Sequence, residues 1–432
     1  MKTIKLKKIA NVITGFPFKG EQYSDEGIRT VRGENVTEGK LRWDTVKCWN
    51  HKFDKEKEYL LKRDDVVIGM DGSKVGKNKA RIKENDLPLL LAQRVACVRS
   101  LKENDQVFLY YLINNPKFEK YVFRTQTGSS VPHISKSQIE EFEIPEIDII
   151  TQKKIAKVLS DLDAKIEINN RINSELEAMA KTLYDYWFVQ FDFPDANGTP
   201  YKSSGGKMVW NAELKREIPE GWEVKPISKV IEVKDGTHDS PKPKTTGYPL
   251  ITSKNLKVEG LDFENANLIS EEDYLSVNKR SQVETGDILF SMIGNIGTIY
   301  KIEEKEINFA IKNVALYKTS QKEEYKNFIY MFLKSIDMDR YMKNVISGSI
   351  QKFIGLSSLR NTPFFINETY IEKYEIRTKS IFAQLENLKL ENQELASLRD
   401  WLLPMLMNGQ VSVGDVEEQL GMVAEESARY VK

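Results

Sequence analysis

Few groups in this sequence have the residue types and spacing needed for covalent chemistry, and each lacks a part that its chemistry requires. The run Gly72-Ser73-Lys74-Val75-Gly76-Lys77-Asn78 is spelled like a phosphate-cradling loop. Such a loop needs a glycine where Asp71 stands and a Ser or Thr on magnesium where Asn78 stands, so a basic hairpin turn is the better reading. Pro194-Asp195 followed by Glu213-Leu214-Lys215 has the spelling of a metal-dependent nuclease core. Two-metal cleavage needs those carboxylates fixed on adjoining rigid strands; here they fall in a Gly/Ser-rich stretch that reads as a turn and a polar linker. The three histidines, His51, His133 and His238, are scattered without cysteines at ligand spacing, which predicts no metal site. Neither an NPPY nor a DPPF tetrapeptide occurs, nor a glycine-rich methyl-donor loop after an opening strand. The chain is expected to be non-catalytic.

The elements that position these residues are dominated by two long amphipathic stretches. From Thr151 to Phe188, steps of three and four give Ile155, Leu159, Leu162, Ile166, Asn169, Asn173, Leu176, Ala180, Leu183 and Trp187, with no Pro or Gly between. That is a coiled-coil seam on one long helix, and it requires a partner helix of similar length. The partner is predicted between Tyr370 and Gly409, as Ile381, Leu385, Leu388, Asn392, Leu395, Leu398, Leu402 and Leu406. Ile166 falls on Leu385, an offset of 219 residues (385 − 166), and Asn173 falls on Asn392 at the same offset. About half the chain is therefore repeated. Asn173 and Asn392 are expected to fix the register of the seam, as Asn does at such positions; the alternative is exposure through a small phase error. A helix of about 36 residues at about 1.5 Å each spans about 54 Å.

The bulk numbers agree with a globular protein. The 432 residues are 40% hydrophobic and 30% charged, enough for two or three domains with full cores. Mean hydropathy is −0.47. The N-terminus lacks an apolar core of signal-peptide length and no apolar run is long enough to span a membrane, so a cytoplasmic location is expected. Cys48 and Cys97 sit in unrelated contexts, consistent with a reducing compartment. The 64 basic and 64 acidic residues cancel, which argues against nucleic-acid binding by bulk charge and leaves local patches. In residues 70–83, five cations stand against Asp71, a net of +4.

Residues 1–150 read as short strands and turns with a few helices: alternation at Ile28–Val36, a buried strand at Asp64–Met70, a strand pair or long strand at Leu89–Ser100, then helical stretches at Val107–Asn114 and Pro116–Arg124. The same order returns after Trp222. Tyr248–Leu256 matches Gly27–Val36 with Asn255 on Asn35, and Gly286–Gly297 matches Asp64–Gly76 with Asp287 on Asp65 and Gly297 on Gly76. Phe309–Thr319 matches Leu89–Ser100. The expected division is a first globular domain 1–150, a long helix 151–190, a Gly/Pro/Ser-rich connector 191–220, a second globular domain 221–368, a second long helix 369–409 and an acidic tail 410–432 without assignment. The two copies keep turn glycines and seam but differ in loop chemistry, as two readers of different targets should.

Several strings, in order and at the repeat spacing, resemble the specificity subunit of a Type I restriction–modification system. They are LYDYWFVQFDFPDANGTPYKSSGGKMVW with IPEGWEVKPISKVI between Leu183 and Ile231, DGTHDSPKPKTTGYPLI (Asp235–Ile251), PEIDIITQKKIAKVLSDLDAKI and LRDWLLPMLMNGQV. The resemblance covers roughly residues 5–410. It implies an α+β fold in which two similar target-recognition domains are joined by two long antiparallel helices forming a coiled-coil spacer, with internal pseudo-two-fold symmetry. It also implies a bipartite DNA target, one half-site per domain, and two adenine-methyltransferase subunits as partners, with two restriction/translocase subunits besides. No cofactor is expected on this chain; S-adenosylmethionine, ATP and magnesium belong to the partners. The candidate DNA contacts are Lys74, Lys77, Asn78, Lys79, Arg81, Gln126, Ser129, Ser130 and His133 in the first half, and His238, Lys242, Lys244, Lys254, Asn295, Lys312, Gln351 and Lys352 in the second. Lysines would meet phosphate, while Asn, Gln, Arg and His could read base edges. The aromatics Tyr184, Tyr186, Trp187 and Phe188 are candidates for docking the methyltransferase, or for capping the core where helix meets domain. The alternative function is a coiled-coil scaffold that binds no DNA, which salt-dependent duplex binding would distinguish.

Overall fold

The computed structural model describes residues 2–53, 56–128, 130–257, 260–348, 352–411 and 414. The expected acidic tail, apart from 410, 411 and 414, lies outside the described residues, as do Ser129 and Gln351. The described residues form two compact units, one drawn from 2–168 with 391–414 and the other from 169–390. Each unit therefore takes part of both long helices.

In the first unit a larger sheet orders the strands Ala10–Thr14, Val95–Ser100, Val66–Gly69, Lys79–Arg81 and Glu38–Gly39. A smaller one orders Cys48–Trp49, Ile28–Val31 and Leu89–Leu91, with the last pair parallel. The second unit repeats this plan. Its larger sheet is Val233–Asp235, Val314–Tyr317, Ile288–Ser291 and Ile299–Lys301, and its smaller one is Asn267–Ile269, Tyr248–Thr252 and Ala310–Lys312, again with the last pair parallel.

Alternation along the strands explains why both faces are apolar. Side chains of a strand point to opposite faces in turn. Val66, Ile68, Ala96 and Val98 pack with the helices, whereas Val67, Val95 and Cys97 pack with Leu89, Leu91 and Val31 between the sheets. Leu90 points the other way, to Phe18 and Trp49. The second unit divides Ile288 and Phe290 from Leu289, Val314 and Leu316 in the same manner. Expected strand positions thus hold, with Leu89–Ser100 resolved into two strands.

The long helices run Ile149–Tyr184, continued by a wide π turn Asp185–Val189, and Glu368–Met407. Asp148 caps the first: its Oδ1 accepts from Ile150 N and Thr151 N, both at 3.0 Å. In the first unit the start of this helix lies beside the end of the second. Ile155, Leu159 and Leu162 pack with Leu402 and Leu406, and Arg399 Nη1 meets Asp163 Oδ1 at 2.8 Å. In the second unit the opposite ends meet: Tyr374 OH donates to Ala180 O at 3.0 Å. The pairing is antiparallel. Seam positions are buried or half-buried throughout, Asn173 and Asn392 being half-buried and Asn169 buried. Asn173 Oδ1 is enclosed without a hydrogen-bond partner, so the exposed alternative does not apply to it.

The stretch 191–220, expected as a loose connector, is folded. Met208–Asn211 pairs antiparallel with Arg216–Pro219. Phe191 and Phe193 are buried against Trp222, at centroid distances of 5.4 and 5.2 Å, and Asp192 holds Ser203 through N at 2.7 Å and Oγ at 2.6 Å. Aromatic burial overrides the local Gly/Ser content. Among the described residues, no helix is long and apolar enough to cross a membrane.

Candidate nucleic-acid interface

In each copy the chain passes from the smaller sheet to the larger through a residue with left-handed backbone. Arg94 (φ 67°) precedes Val95–Ser100, and Asn313 (φ 52°) precedes Val314–Tyr317. The offset is again 219 (313 − 94). Left-handed residues other than glycine are uncommon, and Asn tolerates the region far better than Arg.

Both residues line a cleft. The first, about 390 Å³, is walled by Tyr23, Arg32, Gly33, Glu34, Asp71, Gln93 and Arg94 among others; the second, about 420 Å³, by Thr252, Ser253, Lys254, Ile293, Gly294, Asn295 and Asn313. The same three segments build each: the turn after the central strand of the smaller sheet, the hairpin after the inner strand of the larger, and the crossover itself. The frame is repeated in detail. Asn35 and Asn255 are buried; the Oδ1 of each accepts the backbone N–H three residues before it (from Arg32 at 3.0 Å, from Thr252 at 3.1 Å), and the Nδ2 donates to Arg42 O and to Asp262 O respectively. Gly76 and Gly297, both at positive φ, hold the hairpins against Val122 and Met342. A Cβ at Gly76 would stand 3.0 Å from Val122, so only glycine fits without displacement.

The lining chemistry is not repeated. In the first cleft, Arg94 Nη1 meets Asp71 Oδ2 at 2.5 Å, Arg32 pairs with Glu34, and the guanidinium of Arg32 lies over the Tyr23 ring at 5.6 Å. In the second the walls are Thr, Ser, Asn and Lys. Beside them His238 Nδ1 stands 2.8 Å from Asn313 Oδ1, and its Nε2 stands 2.8 Å from Oδ2 of the buried Asp235, which Arg280 also pairs.

The chain matches the family model described as the Type I restriction modification DNA specificity domain twice, over residues 1–178 and 219–398. It belongs to that family. The specificity subunit is the non-catalytic member of such systems, and the two matched domains correspond to the repeat. Among its relatives are the MjaIX specificity subunit of Methanocaldococcus jannaschii, 27% identical over 72% of this chain and 70% of that protein, and the EcoBI specificity subunit of Escherichia coli, 25% identical over 92% and 82%. Among solved structures, the S subunit of a Type I system from M. genitalium aligns with 94% of this chain and 95% of its own at 19% identity, with a TM-score of 0.48.

Against this specificity fold, the residues singled out in sequence separate into groups. Lys254 and Asn295 line the second cleft, and Lys312 is next to Asn313, its ammonium on Ser240. The backbone of His133 bridges to Asp71 and pairs with Thr127, which brings the segment of Gln126 and Ser130 to the first cleft; Phe353 takes the corresponding place beside Ile293, next to exposed Lys352. Lys242 and Lys244 are exposed, Lys244 on the edge of the smaller sheet. The basic hairpin, however, is largely neutralised. Lys74 pairs with Glu38 at 2.7 Å, Arg81 with Asp64 at 2.7 Å and Lys83 with Glu167 at 2.8 Å, while Lys77 is exposed and Asn78 half-buried.

Two expectations are corrected. Lys79 is 2% exposed, its ammonium 2.7 Å from Glu119 and 5.9 Å from the Phe118 ring, so no phosphate reaches it. Burial pushes its pKa below the usual lysine value, against the pull of Glu119. Tyr184, Trp187 and Phe188 lie in the second unit's core, where Phe188 meets Phe328 at 4.6 Å; of the four aromatics only Tyr186 is exposed. They cap the core and offer no docking surface. Sequence reading also passed over Arg32, Asp71, Gln93 and Arg94. The available signal was the interruption of an apolar run by polar residues at matched positions, Gln93-Arg94 in one copy and Lys312-Asn313 in the other.

Proposed function

We propose that this chain recognises a bipartite DNA sequence, one half-site per unit, and presents it to two adenine-methylating modification subunits, with restriction/translocase subunits joining the same assembly. The observation that carries the reading is a cleft built twice on one frame and lined differently each time. A shared frame with divergent walls is what two half-sites of different sequence require. S-adenosylmethionine, ATP and magnesium are assigned to the partner chains, and the base to be methylated would be flipped into a partner's pocket. Docking is assigned to apolar side chains left exposed on the long helices, among them Ile168, Met179, Ile376 and Trp401.

The test is to express the chain with its modification partner and map methylated adenines in the host, alongside duplex binding at several salt concentrations. A split motif with an unread gap, and binding that weakens as salt rises, are expected. Methylation without a motif, or no duplex binding at any salt, would return the chain to the scaffold class.

A further inference from the structure

We infer that Arg94 and Asn313 are the specificity-determining residues at corresponding positions of the two half-sites, Arg94 reading guanine and Asn313 reading adenine. The inference rests on the chain being a DNA specificity subunit and goes beyond it by naming residues and bases. Both residues sit at the same sheet-to-sheet crossover, both are left-handed, and both line the cleft of their own unit. Glycine would be the easy occupant of such a backbone. The chain instead carries there the two side chains whose donor and acceptor patterns match purine edges in the major groove.

The surroundings favour base contact over phosphate contact. Arg94 is 71% exposed, and Asp71 engages Nη1 alone at 2.5 Å. The remaining N–H groups are enough to donate to guanine O6 and N7, while the adjacent carboxylate repels a phosphate and holds the guanidinium in place. Asn313 is oriented by a relay from buried Asp235 through His238, with 2.8 Å at each step. Two arrangements satisfy that relay: an imidazolium donating to both partners, or a neutral ring donating to Asp235 and accepting from the Asn313 amide in its flipped orientation. Each leaves the amide an acceptor and a donor, which is the pair that adenine N6 and N7 require. Both ring nitrogens of His238 are engaged, so His238 is a positioning residue.

The experiment uses the full chain assembled with its modification partner and compares wild type with Arg94→Gly, Asn313→Gly and His238→Ala by selection from a randomised duplex library and by methylome mapping. Glycine suits a left-handed backbone, so those variants should fold. Arg94→Gly should lose about tenfold to hundredfold preference for guanine at one position of one half-site, and Asn313→Gly the same for adenine in the other, all remaining positions being unchanged. His238→Ala should relax the same position as Asn313→Gly and add nothing in the double variant. An unchanged motif, a uniform loss across all sequences with an altered salt slope, or relaxation at a base other than guanine or adenine would overturn the assignment. A wild-type assembly with no motif would instead defeat the underlying reading of the chain.

Discussion

At the scale of single residues, the decisive distinction is between cations that are spent inside the fold and cations that face outward. Lys79 and Lys74 stand five positions apart in one hairpin, yet the first is enclosed and the second has a side chain 63% exposed. Replacing Lys79 by Met should therefore leave duplex affinity and its salt slope unchanged. Glu119→Ala should strand the buried ammonium and lower stability by about 2 kcal/mol, less than the figure for a fully enclosed pair because water reaches Glu119; duplex titration at several salt concentrations reads the first and chemical denaturation the second. For Arg94, release of left-handed strain by glycine is partly offset by the greater freedom of the unfolded chain. Stability of Arg94→Gly is expected between no change and a gain of about 1 kcal/mol, so any loss of sequence discrimination would not come from unfolding.

At the scale of elements, the long helices are stabilised mainly by what they bury within each unit. Phe188, fully enclosed among Tyr184, Phe328 and Tyr374, should cost about 3–5 kcal/mol when truncated to Ala, a loss seen in the melting of this chain alone. A docking aromatic would leave that melting unchanged. The seam asparagine behaves in the opposite sense. Asn173 encloses an oxygen without a partner, and Asn173→Leu should raise stability by about 1–2 kcal/mol in denaturant titration. If Asn173 also fixes register, the same variant should exchange backbone amide hydrogens less uniformly along the first long helix.

For the whole molecule, the repeat separates what is common from what is particular. The sheet order, the capping asparagines and the hairpin glycines recur, whereas the cleft walls do not. Under the proposed function, inserting one heptad at matched points in both long helices should lengthen the unread gap of the methylated motif and leave both half-sites unaltered. An unchanged gap in the methylome of that variant would rule out a measuring role for the helices.

Much of this is legible in the sequence. The seam from Ile155 to Trp187 and its echo at a 219-residue offset followed from periodicity, because a helix must bury an apolar stripe wherever it packs. The strands and the matched pairs Asn35/Asn255 and Asp65/Asp287 followed from alternation and turn chemistry, which act over a few residues. Tertiary structure alone decided that Lys79 is buried while Lys77 is not, that Tyr184, Trp187 and Phe188 serve the core, and that the Gly/Ser-rich stretch after Phe193 is folded. It alone placed Asp71 on Arg94 and His238 on Asn313, in the latter case 75 residues apart. Such contacts depend on which sheet edge and helix end meet in space, and no local spacing encodes that meeting.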